Sequence, residues 1–159
     1  YYLEKAGEFV AFNSSVNLYI KKAGSNACYS TEGGTYYIEE AGDDLGDRAS
    51  GTFYVKKAGF CFSPCWEGSF YLNNVAEWNY SQVYSRAGSI NYYINRAGDF
   101  GIGQKDVEFS YHVVDPALIR KLQEQNQTPI PLSIAEWEQH WEPAEIAFEL
   151  LHQKLEEKA

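Results

Sequence analysis

The sequence predicts a mainly β chain: a parallel β-solenoid of about six to seven coils, each of about 17 residues, followed by C-terminal α-helices. Three observations carry this. A short motif recurs at a near-constant interval. Apolar residues alternate with period two inside each copy. Charges follow an order from copy to copy that suits vertical stacking.

The motif reads YYLEKAG from Tyr1, LYIKKAG from Leu18, YYIEEAG from Tyr36 and FYVKKAG from Phe53. A degenerate FYLNNVAE follows from Phe70, and YYINRAG from Tyr92. Successive starts differ by 17, 18, 17, 17 and 22 residues, the long interval holding an extra VYSRAG from Val83 that reads as an insertion in one coil. The segment FSYHV, starting at Phe109 and 17 residues after Tyr92, reads as an atypical last copy. A repeat this short is half a helical hairpin and less than half a propeller blade, but it suits one coil of a β-helix.

Each copy follows a small or polar residue, as at Asn17, Thr35, Thr52, Ser69 and Asn91, and ends at or near Ala-Gly, where a sharp corner is expected. Its first position (Tyr1, Leu18, Tyr36, Phe53, Phe70, Tyr92) and third position (Leu3, Ile20, Ile38, Val55, Leu72, Ile94) are apolar and should point inward. The second and fourth positions should point outward. The second is Tyr in all six copies: Tyr2, Tyr19, Tyr37, Tyr54, Tyr71 and Tyr93. The fourth runs Glu4, Lys21, Glu39, Lys56, Asn73 and Asn95.

Stacked coils place equivalent residues about 4.8 Å apart. Like charges should avoid that spacing, and the fourth column alternates sign before becoming an amide ladder. The outward tyrosines would stack as an aromatic column. This column reads first as a ladder that stabilises the stack, and second as a surface for a partner or for sugar rings. The pattern from Tyr1 to Val114 resembles the β-solenoid repeats of bacterial surface and envelope proteins. That resemblance implies the architecture, together with an extracellular or cell-surface location. It does not fix an activity, since such coils serve stalks, adhesins, filaments and enzymes alike.

Residues 1–114 are therefore read as the solenoid and 115–159 as a helical extension. Asp115-Pro116 is an N-cap followed by a proline at the first helical position, and ALIRKLQEQ continues as a helix. NQTPIP reads as a linker stiffened by Pro129 and Pro131. Ser133 and Glu136 form a capping box for a second helix. From there Ile134, Trp137, Trp141, Ala144, Phe148, Leu151 and Leu155 fall at alternating steps of three and four, a heptad seam that Pro143 is expected to kink or restart. The seam must bury against the chain's own solenoid or against another copy. The residues Ile134, Trp137, Trp141, Phe148, Leu151 and Leu155 are thus the candidate assembly seam, and the six outward tyrosines the candidate interaction surface.

Charge limits the partners. Of the net −9, residues 1–98 carry −2 and the remainder −7, which disfavours nucleic acid. No stretch is long and apolar enough for a membrane span. The chain contains no Met, so processing or truncation before Tyr1 is expected. Cys28, Cys61 and Cys65 are an odd number without a second metal-ligand pair, and no metal or other cofactor is expected. Cys28 and Cys61 lie two coil spacings apart, about 9.6 Å. That is beyond disulfide reach.

Asp43, Asp44, Asp47 and Arg48 gather at one corner. They read as a solvated turn, with an acid-and-arginine site for uronate chemistry or a calcium site as the sharper alternatives. Glu149 and His152 form a single Glu-x-x-His, half of what a di-iron bundle needs, so a solvated helix face is expected. His112 is expected to be exposed and His140 to sit at a rim. The expected function is a non-enzymatic structural or adhesive module that binds a surface partner or glycan, or stacks head-to-tail on copies of itself. The alternative is a carbohydrate-active β-helix using the acidic corner.

Overall fold

A computed structural model describes residues 2–6, 17–23, 34–41, 51–61, 68–80, 90–102, 109–124 and 128–157. Seven strands follow the repeats: β1 (Tyr2–Ala6), β2 (Asn17–Ala23), β3 (Thr35–Ala41), β4 (Gly51–Cys61), β5 (Gly68–Tyr80), β6 (Ile90–Ile102) and β7 (Phe109–Val113). Helix α1 (Pro116–Glu124), strand β8 (Ile130–Pro131) and helix α2 (Ile134–Glu157) complete the chain. The strands lie in one sheet in chain order, every neighbouring pair parallel. Consecutive parallel strands rule out hairpins and require each connection to return across the stack, which is the solenoid arrangement. The fold is a mainly β parallel solenoid with C-terminal helices. The count of six to seven closed coils rests on return segments outside the described residues.

Register follows the motif. Tyr19 pairs with Tyr37, Tyr37 with Tyr54, Tyr54 with Tyr71 and Tyr71 with Tyr93. The inward columns are buried: Leu18, Tyr36, Phe53, Phe70 and Tyr92 at the first position, Ile20, Ile38, Val55, Leu72 and Ile94 at the third. Among the first-position rings, Tyr36 stacks on Phe53 at 4.6 Å and Phe53 on Phe70 at 4.8 Å, the rise of the sheet itself. The side chain of Leu3 lies outside the described residues.

The corner is not where Ala-Gly places it. Strands β4 and β6 run through Ala58-Gly59 and Ala97-Gly98. The bend falls earlier, between the fourth and fifth positions. Lys56, Asn73 and Asn95 are half-buried and face outward, yet the residues after them, Lys57, Asn74 and Arg96, are exposed as well. Two outward residues in succession break the period-two alternation, so the sixth position returns to the core, where Val75 is buried. Gly98 is small for a different reason: a Cβ there would sit 2.2 Å from the Ala76 carbonyl oxygen of the coil beside it. Left-handed backbone occurs instead before the motif, at Gly34 (φ 96°) and Gly51 (φ 124°).

The last copy is shifted. Tyr92 pairs with Tyr111 and Tyr93 with His112, so β7 sits two residues further along than a 17-residue step from Tyr92 places it. An even shift preserves which side chains face inward, and aromatics at alternate positions made both registers look equivalent. Tyr111 and Val113 are buried in the core columns, and His112, expected to be exposed, takes the place of the seventh tyrosine.

The last two residues of the segment read as a linker, Ile130 and Pro131, form strand β8. Ile130 and Pro131 pair with His112 and Val113, and the Leu132 N–H donates to the Val113 carbonyl at 2.8 Å. Pro131 has no N–H to offer a further strand, which suits a sheet edge. Helix α1 packs against β6 and β7, with Leu118 and Leu122 buried and the Lys121 ammonium donating to the Gly98 carbonyl at 3.0 Å. Its start is capped as expected, the Ala117 N–H donating to Asp115 Oδ1 at 3.0 Å.

Ile38 is 0 % exposed in the middle of the third-position column. Ile38→Ala should lower the unfolding free energy by about 2–5 kcal/mol through the cavity it leaves. Urea titration followed by far-UV circular dichroism measures this.

Candidate functional site

Helix α2 opens with the capping box: the Glu136 N–H donates to Ser133 Oγ at 3.1 Å, and the Ser133 N–H to Glu136 Oε1 at 3.2 Å. The backbone and hydroxyl of Ser133 hold the Glu136 carboxyl below its ordinary pKa. The helix then runs unbroken to Glu157, without the expected restart at Pro143. Pro143 removes the hydrogen bond to the Gln139 carbonyl, but both residues are exposed, so water takes its place.

The two surfaces singled out in the sequence are partners of each other. Trp137, Trp141, Ala144, Phe148 and Leu151 are buried in one cluster with Leu132, and this cluster packs on Tyr2, Tyr19, Tyr37, Tyr54, Tyr71 and Tyr93. Leu155 is half-buried against the same cluster. Ile134 is not part of it: at 67 % exposed in the first helical turn, it leaves its expected place to Leu132. The tyrosine column is therefore not an open surface, and the seam is satisfied within the chain.

Contacts along the helix give its direction. Near its start, the His140 ring meets those of Tyr93 and Tyr71 at 4.9 and 5.9 Å. One residue later, Trp141 meets Tyr54 at 6.1 Å. Near its end, His152 Nε2 lies 2.7 Å from Glu39 Oε2. The helix thus crosses the strands and descends the stack from β6 towards β1. Seam residues 3.5 positions apart advance about 5.3 Å along a helix. Coils rise about 4.8 Å. Each seam side chain therefore meets roughly one new tyrosine.

Beneath the helix the tyrosine rings stack at centroid distances of 4.6–5.0 Å, from Tyr2–Tyr19 to Tyr71–Tyr93. His112 continues the column, 4.3 Å from Tyr93. Burial raises the phenol pKa values of Tyr19, Tyr37 and Tyr54, and neighbouring tyrosines add to the effect at Tyr19 and Tyr37. Tyr71 is pushed up to about 12, by burial first and then by Tyr54 and Tyr93. His152, expected on a solvated face with Glu149, instead reaches across to the sheet, while Glu149 is exposed.

A groove opens along one flank of this clamp, about 990 Å³ in volume. Its sheet wall is the fourth column with its neighbour: Lys56, Asn73, Asn95 and Arg96. Its helix wall is the flank formed by Glu138 and Glu145, and Trp137, Trp141 and Phe148 line the space between. One end is bounded by Val114, Asp115 and Leu132. Beyond Lys56 the two walls meet at the His152–Glu39 contact.

The fourth column behaves as its order implies. Lys56 Nζ lies 3.8 Å from Glu39 Oε1, and the Asn95 side-chain amide donates to Asn73 Oδ1 at 2.9 Å. Among the described residues no ion pair spans the groove from Glu138 or Glu145 to Lys56 or Arg96. The amide ladder and the seam were legible in the sequence, but the groove between them was not. The available signal was the series Ile134, Glu138, Trp141, Glu145, which places carboxylates on the helix flank beside the seam. The corner residues Asp43, Asp44, Asp47 and Arg48, and the separation of Cys28 from Cys61, lie outside the described residues.

No known family model matches this sequence, and comparison with curated proteins and with solved structures finds no match.

Trp141 holds the centre of the clamp, between Trp137 at 5.3 Å and Phe148 at 6.1 Å. Trp141→Ala should cost about 3–5 kcal/mol. The tyrosine signal in near-UV circular dichroism should weaken while the far-UV strand signal persists. Loss of both signals together would mean that the stack cannot stand without the helix.

Burial, and then His140, lower the pKa of His112 from the ordinary 6.5. A histidine that is harder to protonate in the folded chain contributes its full stability above about pH 6.5, and loses it as pH falls through its lowered folded value. The melting temperature should drop across that interval in scanning calorimetry, and His112→Phe should flatten the drop.

Proposed function

We propose that this chain is a non-enzymatic structural and adhesive β-solenoid module: a stiff rod segment, one coil per repeat and six to seven coils long, working at a cell surface. The observation that carries the reading is the unbroken stack from Tyr2 to His112 held under one helix. A ladder packed on its outer face by a helix and on its inner face by buried rings resists bending and local opening, which is what a spacer or a presenting scaffold requires. The surface location rests on the sequence resemblance alone.

The geometry narrows how copies could assemble. Head-to-tail growth needs an accepting strand edge at both ends of the stack. The edge beyond β7 is taken by β8 and its proline, and the aromatic seam is engaged within the chain. In this reading the β7 end and the seam are closed to a further copy, so head-to-tail growth, which needs both ends, is not expected.

Two measurements test the reading. Sedimentation velocity over a wide concentration range should show no series of growing polymers, and such a series would overturn the reading that the β7 end is closed. Incubation with polygalacturonate should release no unsaturated product. Release that is abolished by Asp44→Asn would replace the reading with the carbohydrate-active alternative at Asp43, Asp44, Asp47 and Arg48.

A further inference from the structure

We infer that the groove beside helix α2 binds a short, neutral oligosaccharide with an extended backbone. The inference rests on the adhesive reading and supplies its ligand class. Three features of the walls lead to it.

The first is hydrogen-bonding character. In the Asn95–Asn73 pair one amide hydrogen and one carbonyl oxygen are used on each other. This leaves the Asn73 amide nitrogen as donor at one end of the pair and Asn95 Oδ1 as acceptor at the other. Glu138 and Glu145 opposite are acceptors only, whereas Lys56 and Arg96 are donors only. A sugar hydroxyl both donates and accepts, so a row of hydroxyls can satisfy both walls at once.

The second feature is charge. The groove has cations on its sheet wall and carboxylates on its helix wall and at its end, where Asp115 stands. An anionic polymer lying along it would meet Glu138 and Glu145, and a polycation would meet Lys56 and Arg96. Each would bury like charges side by side. A neutral chain escapes both penalties.

The third feature is the repeat. The groove follows the stack axis across β4, β5 and β6, so its polar groups recur at about the 4.8 Å rise of the coils. A hexopyranose unit in an extended, equatorially linked chain advances by a closely similar distance. Roughly three units would therefore meet equivalent groups on successive rungs. Only the edges of Trp137, Trp141 and Phe148, each 5 % exposed, reach the base of the groove, so the polar groups of the two walls make the contacts to the ligand. At about 990 Å³ the groove is large enough for a ligand of this size.

Cellotetraose and xylotetraose are the probes, with tetragalacturonate as the anionic counterpart, in isothermal titration and tryptophan fluorescence. At least one neutral tetramer should bind, and tetragalacturonate should bind about tenfold or more weakly, the penalty of one buried like-charge contact. The double variant Asn73→Leu/Asn95→Leu should lower affinity about tenfold or more by removing two neutral hydrogen bonds. Its far-UV circular dichroism must match that of the parent chain. Glu145→Leu, on the helix wall and remote from the ladder, should weaken binding in the same direction if the double variant misfolds. No binding of either neutral tetramer overturns the inference and leaves the rod reading standing on its own tests. Equal binding of tetragalacturonate overturns the neutrality argument. Full affinity in the folded double variant, or in Glu145→Leu, places any binding elsewhere.

Discussion

Parallel backbone pairing sets the spacing to which the rest of the molecule conforms. Hydrogen bonds between neighbouring strands fix the rise at about 4.8 Å. Any residue type repeated at one position then becomes a column with that period, whatever its chemistry. For tyrosine and phenylalanine the rise is close to the ring-stacking distance, so both faces of the sheet carry stacked aromatics at little conformational cost. For asparagine it allows amide-to-amide bonding. For ionic side chains it favours alternation in the fourth column, as the contact between Lys56 and Glu39 illustrates. The column chemistry follows from the backbone spacing.

The outer face shows how local patterns become tertiary structure. An outward row of tyrosines is amphipathic: flat rings to bury, hydroxyls to hydrate. A helix laid along the stack covers the rings and leaves each tyrosine half-buried. Burial raises the phenol pKa of Tyr19, Tyr37 and Tyr54, and most strongly that of Tyr71. The same helix has a second flank, and the gap between that flank and the amide ladder is the groove. Clamp and groove are two sides of one docking event.

Much of this was legible in the residues, because the repeat is nearly exact at the positions that matter. Tyr at every second position, apolar residues at the first and third, and the Ser133–Glu136 capping box each name a local geometry with few alternatives. What escaped were relations that parity and spacing leave degenerate. A shift of β7 by two residues puts Tyr111 and Val113 in the core as readily as the unshifted pairing would put Phe109 and Tyr111 there. Alternation cannot reveal two successive outward residues such as Asn73 and Asn74, so the bend was placed at Ala-Gly. Pro129 and Pro131 read as a linker, since proline argues against strands everywhere except at an edge. The seam was recognisable as apolar, but nothing along the chain says whether a helix packs on its own tyrosines or on a neighbour's.

The fit between helix and ladder makes α2 a measuring rod. The six strand-to-strand steps from β1 to β7 span about 29 Å. Twenty-four helical residues span about 36 Å, enough to cover that height with a turn or so to spare. The number of coils and the length of the helix are therefore coupled. A duplicated repeat adds one uncovered tyrosine to the outer face, and about three further helical residues are needed to shelter it. Repeat arrays usually grow and shrink freely by duplication. Among the repeats under the helix such a change leaves apolar surface bare unless a distant part of the chain changes with it, so the helix ties the repeats it covers to its own length.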